Sequence, residues 1–248
     1  MGRSFYRRLR VGLSAGLSRA AKAKVFWLGL VSLMIWLEVL APRVAVAQPN
    51  VVDAWLLKQA TIRTWSAEFT QTRTLKTLTQ PLTAQGRLWF EAPNQFRWEL
   101  GNPPETIAVR QPDQLLVIYP ELKRVERFPL SKERAGQWGG ALALLEAGFP
   151  RDRTDLESKF HIVSQTQTGD LVDLRLQPSA ANARRMLPRI DLVISSADLV
   201  LRATELEFAD GSTLRNDFRD IQINPKVDES LFKSNIPSDY KVVEPLKR

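Results

Sequence analysis

The chain has 248 residues, of which 44% are hydrophobic and 25% charged, a balance that excludes collagen-like and wholly disordered proteins. It contains no Cys and one His, His161, which excludes disulfides, thiolate metal sites and any centre built from two imidazoles. The formal net charge of +8 suits a nucleic-acid-binding protein only if the basic residues belong to the folded part.

The excess positive charge lies in the first 47 residues. They hold eight basic residues and one acidic residue, which leaves 27 basic against 26 acidic residues in the rest of the chain. The basic stretch precedes an apolar run of 13 residues, Val25–Leu37, whereas a membrane-spanning helix needs about 20. Ala45 and Ala47 then form an A-x-A cleavage signal. We therefore predict a signal peptide over residues 1–47, with a retained anchor as the alternative, and a mature domain over 48–248 in an exported compartment such as the periplasm.

The first element of the mature chain is a predicted amphipathic helix. Val52, Trp55, Leu56 and Ile62 recur at helical spacing, which predicts a helix that begins at Val52 and ends near Trp65.

Eleven segments with strand character follow, separated by Pro, Gly, Asn and Asp turn signals. In one of them Phe96 and Trp98 face one way while Arg97 and Glu99 face the other, the alternation of a half-buried antiparallel strand. The predicted strands are Ala67–Thr70, Leu82–Glu91, Asn94–Leu100, Glu105–Arg110, Leu115–Tyr119, Lys123–Phe128, Lys159–Gln165, Leu171–Gln177, Arg189–Ser195, Leu199–Phe208 and Thr213–Ile223.

A second helix is predicted between Ser131 and Phe149, in the middle of the strand series. Trp138, Leu142 and Leu145 recur there at helical spacing. Gly139 and Gly140 weaken this helix by about 1 kcal/mol each relative to Ala, so we expect a hinge at that point.

These elements predict one α+β domain with a curled antiparallel sheet of about eleven strands. Because an open twisted sheet rarely exceeds about ten strands, this sheet is expected to curl into an unclosed barrel with the helices as a lid across its opening. The interior is then either a packed core or an apolar cavity.

Several short motifs occur in a characteristic order. They are Phe69-Thr70-Gln71, Gly86-Arg87-Leu88-Trp89-Phe90, Pro93-Asn94, Phe96-Arg97-Trp98, Leu115–Tyr119 with Pro120, and the C-terminal run Asn224, Val227-Asp228, Leu231-Phe232 and Ile236-Pro237. In this order and spacing the chain resembles the bacterial periplasmic lipoprotein carrier family, the LolA-like proteins, over nearly all of residues 50–240.

The resemblance implies an unclosed barrel whose helical lid covers a hydrophobic cavity. It also implies a monomeric carrier, without enzymatic activity or cofactor, that takes lipoprotein acyl chains from an inner-membrane donor transporter to an outer-membrane acceptor. In well-studied carriers of the family an Arg before the Pro-Asn turn latches the lid, and here that position is Ala92. Arg87 and Arg97 lie nearby, but neither occupies the matching position.

The predicted cavity residues are the apolar side chains of the central strands and of the second helix. They are Phe90, Phe96, Trp98, Ile107, Val109, Leu116, Ile118, Trp138, Leu142 and Leu145. The alternative is that these side chains form an ordinary core, because alternation does not show which strand face points inward.

Other functional classes have weaker support in the sequence. His161 lies in a strand pattern without a nucleophile elbow, and the chain has no glycine-rich phosphate loop, so catalysis and nucleotide binding are not expected. The basic residues between Lys123 and Arg134 alternate with glutamates, which is typical of a solvated surface, with a docking patch as the alternative. A carrier of another exported lipid, such as a glycolipid, and a lipoprotein-sensing module remain as alternatives to a lipoprotein carrier.

Overall fold

The computed structural model describes residues 50–130, 147–233 and 235–244. Helix α1, Val51–Gln59, begins where the side chain of Asn50 accepts a hydrogen bond from the backbone N–H of Val52. Its buried side chains include Val52, Trp55 and Leu56, as the helical spacing predicts. None of the described helices is both long and apolar enough to span a membrane.

Helix α1 is shorter than predicted, because the chain turns into a strand before Trp65. The backbone N–H of Arg63 donates to Asn224 Oδ1 at 2.7 Å, and Trp65 already follows the strand alternation with Ala67 and Phe69. An apolar residue at this point satisfies both helical and strand spacing, so periodicity alone misplaces the helix end.

A single sheet contains the twelve strands of the described residues. They are β1 Thr64–Thr74, β2 Leu82–Glu91, β3 Gln95–Leu100, β4 Thr106–Arg110, β5 Gln114–Tyr119, β6 Arg124–Pro129, β7 Phe160–Thr168, β8 Leu171–Pro178, β9 Arg189–Ser195, β10 Leu201–Glu207, β11 Thr213–Ile223 and β12 Lys241–Val243. Two further α-helices, α2 Arg153–Lys159 and α3 Ala181–Met186, and a 3-10 helix, Glu229–Phe232, complete the described elements.

The strand order is β12-β6-β5-β4-β3-β2-β1-β11-β10-β9-β8-β7. All neighbours pair antiparallel except β12, which pairs parallel with β6 at one edge. The predicted fold class is confirmed, since the sheet is large, curled, unclosed and antiparallel. The strand missing from the prediction, β12, has only three residues and therefore shows no alternation.

The inner face of the curled sheet carries two apolar clusters. Over β8–β10 the cluster is filled by α1, whose Trp55 is fully buried, and by Leu156 of α2. Over β1–β6 the cluster is mainly aromatic and includes Phe149, which follows a short helical stretch at residues 147–148. The described helices therefore fill one half of the inner face with their own side chains.

Gly86 of β2 allows an aromatic ring to lie directly on the sheet. Phe69 is its cross-strand partner on β1 and is completely buried. A Cβ at position 86 would overlap both the ring of Phe69 and the backbone carbonyl oxygen of Glu99. A residue without a side chain is therefore required for the Phe69 ring to lie on the inner face.

The outer face of β4–β6 carries apolar side chains as well. Val109, Leu116 and Val125 are buried there although they belong to neither inner cluster. The 3-10 helix lies against the outer face of the neighbouring β3, where Arg97 donates to the carbonyl oxygen of Leu231 at 3.4 Å. Strands β4–β6 thus carry buried apolar side chains on both faces.

The outer face of β8–β11 and β1 is charged instead. Arg189 pairs with Asp191 at 2.8 Å, with Glu205 at 3.1 Å and with Glu207 at 2.5 Å. The other cross-strand and same-strand pairs are Arg175–Asp191, Arg215–Glu205, Arg215–Asp217 and Arg219–Glu68. We call this set the outer charge ladder; each exposed pair in it contributes about 0 to 1 kcal/mol to stability.

Candidate functional site

Aromatic side chains form a continuous layer on the inner face of β1–β6 and β11. The ring centroids of Phe69 and Trp98 are 4.3 Å apart, and Phe90 stacks on Phe149 at 4.4 Å. Trp65 makes edge contacts with Phe149 at 5.1 Å and with Phe218 at 5.2 Å. We call this layer the aromatic basin, formed by Trp65, Phe69, Phe90, Phe96, Trp98, Phe128, Phe149 and Phe218.

The basin is not sealed by its own side chains. Trp98, Phe149 and Phe218 are only partly buried, unlike Trp65 and Phe69 below them. Aromatic surface that stays accessible on an inner sheet face favours contact with another apolar group.

A cavity of about 340 Å³ opens at one end of the basin. Phe90, Phe96 and Phe149 form its apolar wall. Its remaining lining residues are Pro93, Asn94, Arg110, Arg151, Asp155 and Lys159. This volume falls at the lower end of the range of small-molecule sites, about 300 to 1,000 Å³.

Asp155 of α2 organises the polar rim of the cavity. Its carboxylate accepts hydrogen bonds from the backbone N–H of Arg151 at 3.1 Å and from Arg151 Nη2 at 3.0 Å. Lys159 Nζ lies 3.2 Å away, and only 6% of the Asp155 side chain is exposed. Burial raises the pKa of Asp155, but the hydrogen bonds from Arg151 and the charge of Lys159 outweigh it, so the pKa lies below its usual value.

Replacement of this carboxylate should destabilise the protein in a pH-dependent way. We expect Asp155→Asn to lower the free energy of unfolding by about 1.5 to 3 kcal/mol near neutral pH, because charged hydrogen bonds are lost. A lowered carboxylate pKa stabilises the fold above the pKa of the unfolded chain, and that contribution disappears as the pH falls through the folded-state value. Urea unfolding of both proteins at about pH 7 and about pH 3 measures the difference. If the difference in the free energy of unfolding between the two proteins is the same at both pH values, the charge of Asp155 does not have this role.

The structure divides the predicted cavity residues between two faces. Phe90, Phe96 and Trp98 share the inner face, because Phe90 pairs with Phe96 and Trp98 with Leu88 in the β2–β3 register. The other four predicted cavity residues in the described part of the chain are not on this face. Ile107, Val109, Leu116 and Ile118 lie on the outer face, where Val109 pairs with Leu116 and Ile107 with Ile118.

The remaining site predictions lie outside the described residues. They are the helix positions Trp138, Leu142 and Leu145, the hinge at Gly139 and Gly140, and the cleavage positions Ala45 and Ala47.

The arginines near the Pro-Asn turn point away from the basin. Arg97 lies on the outer face and pairs with Glu99 at 2.7 Å, while Arg87 is the outer-face partner of Glu68. Ala92 itself is exposed. The inner-face arginine among β2–β4 is Arg110, opposite Phe96, and it lines the cavity.

Five members of the basin were not predicted from the sequence: Trp65, Phe69, Phe128, Phe149 and Phe218. Trp65 and Phe69 alternate along β1, and the register places Gly86 under Phe69, so a glycine opposite an aromatic residue is the signal that marks this face. Phe218 comes from a strand far away in sequence, and only the β1–β11 pairing brings it to Phe69.

The structure also places His161 and the basic residues around Lys123. His161 is exposed on β7, and nowhere in the described ranges do three or more His, Asp or Glu side chains come close enough to hold a metal ion. Lys123 pairs with Asp239 at 2.8 Å and Arg127 with Glu244 at 3.9 Å, as in a mixed charged surface.

Comparison with known proteins places this geometry in a family. The family model described as "Outer membrane lipoprotein carrier protein LolA" matches residues 60–235, well over half of the chain. The chain belongs to the LolA family. The LolA match spans β1 to β11 and the 3-10 helix, and thus all the strands that form the aromatic basin.

Individual relatives agree with this assignment. The chain is 29% identical over 211 residues to an outer-membrane lipoprotein carrier protein of Bordetella avium, covering 85% of this chain and 94% of the relative. It is 26% identical over 181 residues to the one of Dechloromonas aromatica, covering 73% and 81%. Among solved structures, a LolA superfamily protein from Nitrosomonas europaea aligns with a TM-score of 0.41 and 11% identity over 73% of this chain and 96% of that one.

Proposed function

We propose that the protein is a periplasmic carrier that holds the acyl chains of a lipoprotein in the aromatic basin and takes them from the inner to the outer membrane. The observation that carries this proposal is the contrast between the two halves of the inner face. Side chains of α1 and α2 pack over β8–β10, whereas the aromatic layer over β1–β6 keeps Trp98 and Phe149 partly exposed, and Phe149 also lines the cavity.

The energetics of transport fit such a basin. Each methylene that leaves water is worth about 0.8 kcal/mol, so a whole acyl chain in water costs on the order of 10 kcal/mol. An apolar inner face removes this cost during transit through water. A membrane removes this cost equally well, so the free energy of the acyl chain is about the same in the carrier as in the bilayer. A donor therefore has to load the carrier.

The aromatic composition of the basin suits reversible binding. Rings present large rigid surfaces with little rotamer entropy to lose, so different acyl chains can lie across them without a specific fit. The cationic rim at Arg110, Arg151 and Lys159, together with Asp155, keeps the cavity mouth in contact with water. We place the acyl chain across the rings of the basin, with the cavity at one end of its path.

The test is the identity of what the protein carries. We expect the protein purified from the periplasm to contain lipoproteins or their acyl chains by mass spectrometry, and to release them to vesicles of outer-membrane lipid. Recovery of a glycolipid in place of lipoprotein would assign the basin to another exported lipid. A preparation free of lipid that also takes up none from donor vesicles would contradict a carrier and favour a sensing module.

A further inference from the structure

One carboxylate lies on the inner face among the apolar residues. In the described part of β1–β6, the register places Glu126 on this face, paired with Val117 and between Arg124 and Phe128 along β6. No other Asp or Glu of these six strands shares the face with the aromatic basin. A carboxylate is an unusual neighbour for this layer, since burial of a charge is costly unless it is paired.

Glu126 has only one of its two oxygens satisfied. Its side chain is 10% exposed, and Oε1 accepts a hydrogen bond from Arg124 Nη2 at 2.6 Å. Oε2 is fully buried and has no hydrogen-bond partner. Buried polar atoms almost always have a partner in native proteins, and this acceptor lies on the face where the acyl chain is proposed to bind, so a donor on the ligand can supply its partner.

A second residue of β5, diagonal to Glu126, supports the same interpretation. Tyr119 pairs with Arg124, which places its ring on the inner face next to Glu126. Burial raises the pKa of Tyr119, the charge of Glu126 raises it further, and Arg124 opposes both. Tyr119 therefore keeps its proton, and its place in the register puts a second polar residue on the inner face near Glu126.

We propose that Glu126 Oε2 accepts a hydrogen bond from an N–H group at the polar end of an acyl-chain ligand. This inference rests on the proposed function, because it requires the chain itself to lie across the basin. An amide N–H completes the hydrogen bonding of the carboxylate, whereas an ester offers no donor and a fatty-acid carboxylate adds a like charge. The site thus selects acyl chains that end in an amide.

A pair of neutral ligands with the same chain tests this selection. N-methyldodecanamide carries the N–H donor and methyl dodecanoate lacks it. We expect the wild-type protein to bind the amide about tenfold more tightly than the ester, as measured by displacement of a fluorescent apolar dye. In Glu126→Leu the preference should disappear, and in Glu126→Gln, whose carbonyl oxygen still accepts, part of it should remain.

Stability measurements separate ligand recognition from a structural role. Glu126→Leu removes a buried charge and leaves Arg124 without its partner, but the Arg124 side chain is 45% exposed and can be hydrated, so the unfolding midpoint should change little. Glu121→Leu, an exposed turn position between β5 and β6, is the matched control and should keep the wild-type preference.

Each remaining outcome decides against the inference in a different way. Equal binding of amide and ester by the wild type overturns the selection and leaves the carrier function standing. A lower unfolding midpoint in Glu126→Leu with the preference intact makes Glu126 purely structural. Absence of binding by either ligand contradicts the proposed function, and the inference falls with it.

Discussion

Trp98→Asp is expected to abolish lipid transfer while the fold is retained. The Trp98 ring lies 4.3 Å from Phe69 in the middle of the basin, and its partial exposure lets a carboxylate at this position remain hydrated. The same hydrated charge would then meet any acyl chain, and an unpaired charge against apolar surface costs several kcal/mol. We expect transfer of lipid from donor to acceptor vesicles to fall at least about tenfold, with an unchanged circular dichroism spectrum.

The neighbouring strand provides a matched control. Trp89 on β2 pairs with Arg97 and lies on the outer face, partly buried like Trp98. Trp89→Asp introduces the same change on the opposite side of the sheet and should transfer lipid within about twofold of the wild type. Equal loss in both variants would show that the sheet is generally weakened. Undiminished transfer by Trp98→Asp would show that the acyl chain does not bind in the aromatic basin.

Leu142→Asp extends the same reasoning to the predicted lid helix, although position 142 lies outside the described residues. If the helix covers the basin, this substitution should also abolish transfer.

Phe69→Ala should cause the largest loss of stability. Phe69 is completely buried, contacts Trp98 and Phe218, and lies over Gly86, which has no side chain to fill the space. Truncation of a buried Phe to Ala typically costs about 3 to 5 kcal/mol. Because Gly86 has no side chain that could move into the space left by the ring, we expect a value in this range. Urea denaturation measures the change in the free energy of unfolding.

Thr70, next along β1, is the control for Phe69. Its side chain lies on the outer face and is only partly buried, so Thr70→Ala should change the unfolding free energy by less than about 0.5 kcal/mol. A loss below about 1 kcal/mol in Phe69→Ala would mean that the ring does not hold the inner layer together.

Strand positions were predictable because most of the sheet has one apolar and one polar face. The prediction for β2 gives the observed bounds, Leu82–Glu91, since Gly86, Leu88 and Phe90 alternate with Gln85 and Arg87. Short helices were not predictable in the same way. Helix α2 carries one buried apolar side chain, Leu156, and α3 carries no buried residue, so neither shows a helical stripe.

The face of each strand was the harder question. On β5, Leu115, Leu116 and Val117 are all buried, so both faces of this strand are covered. Part of the cover on the outer side of the neighbouring strands is the segment that contains Phe232, which contacts β3 and accepts a hydrogen bond from Gln111 Nε2 at 3.2 Å. That segment lies more than one hundred residues away in sequence and has no signal within the strand itself. Alternation therefore placed Phe96 and Trp98 correctly with respect to each other, but it had no means to separate Val109 and Leu116 from them.

The outer charge ladder also bears on how the protein meets other molecules. The ladder holds four arginines against five carboxylates, and each charge has an opposite neighbour within 4 Å. Such a surface projects little long-range potential, so its encounters with charged particles should depend only weakly on ionic strength. The high isoelectric point of the whole chain therefore gives no reason to expect this face to adhere to polyanions. Among acidic polymers, the face with the ladder should not slow the diffusion of the protein by electrostatic attraction.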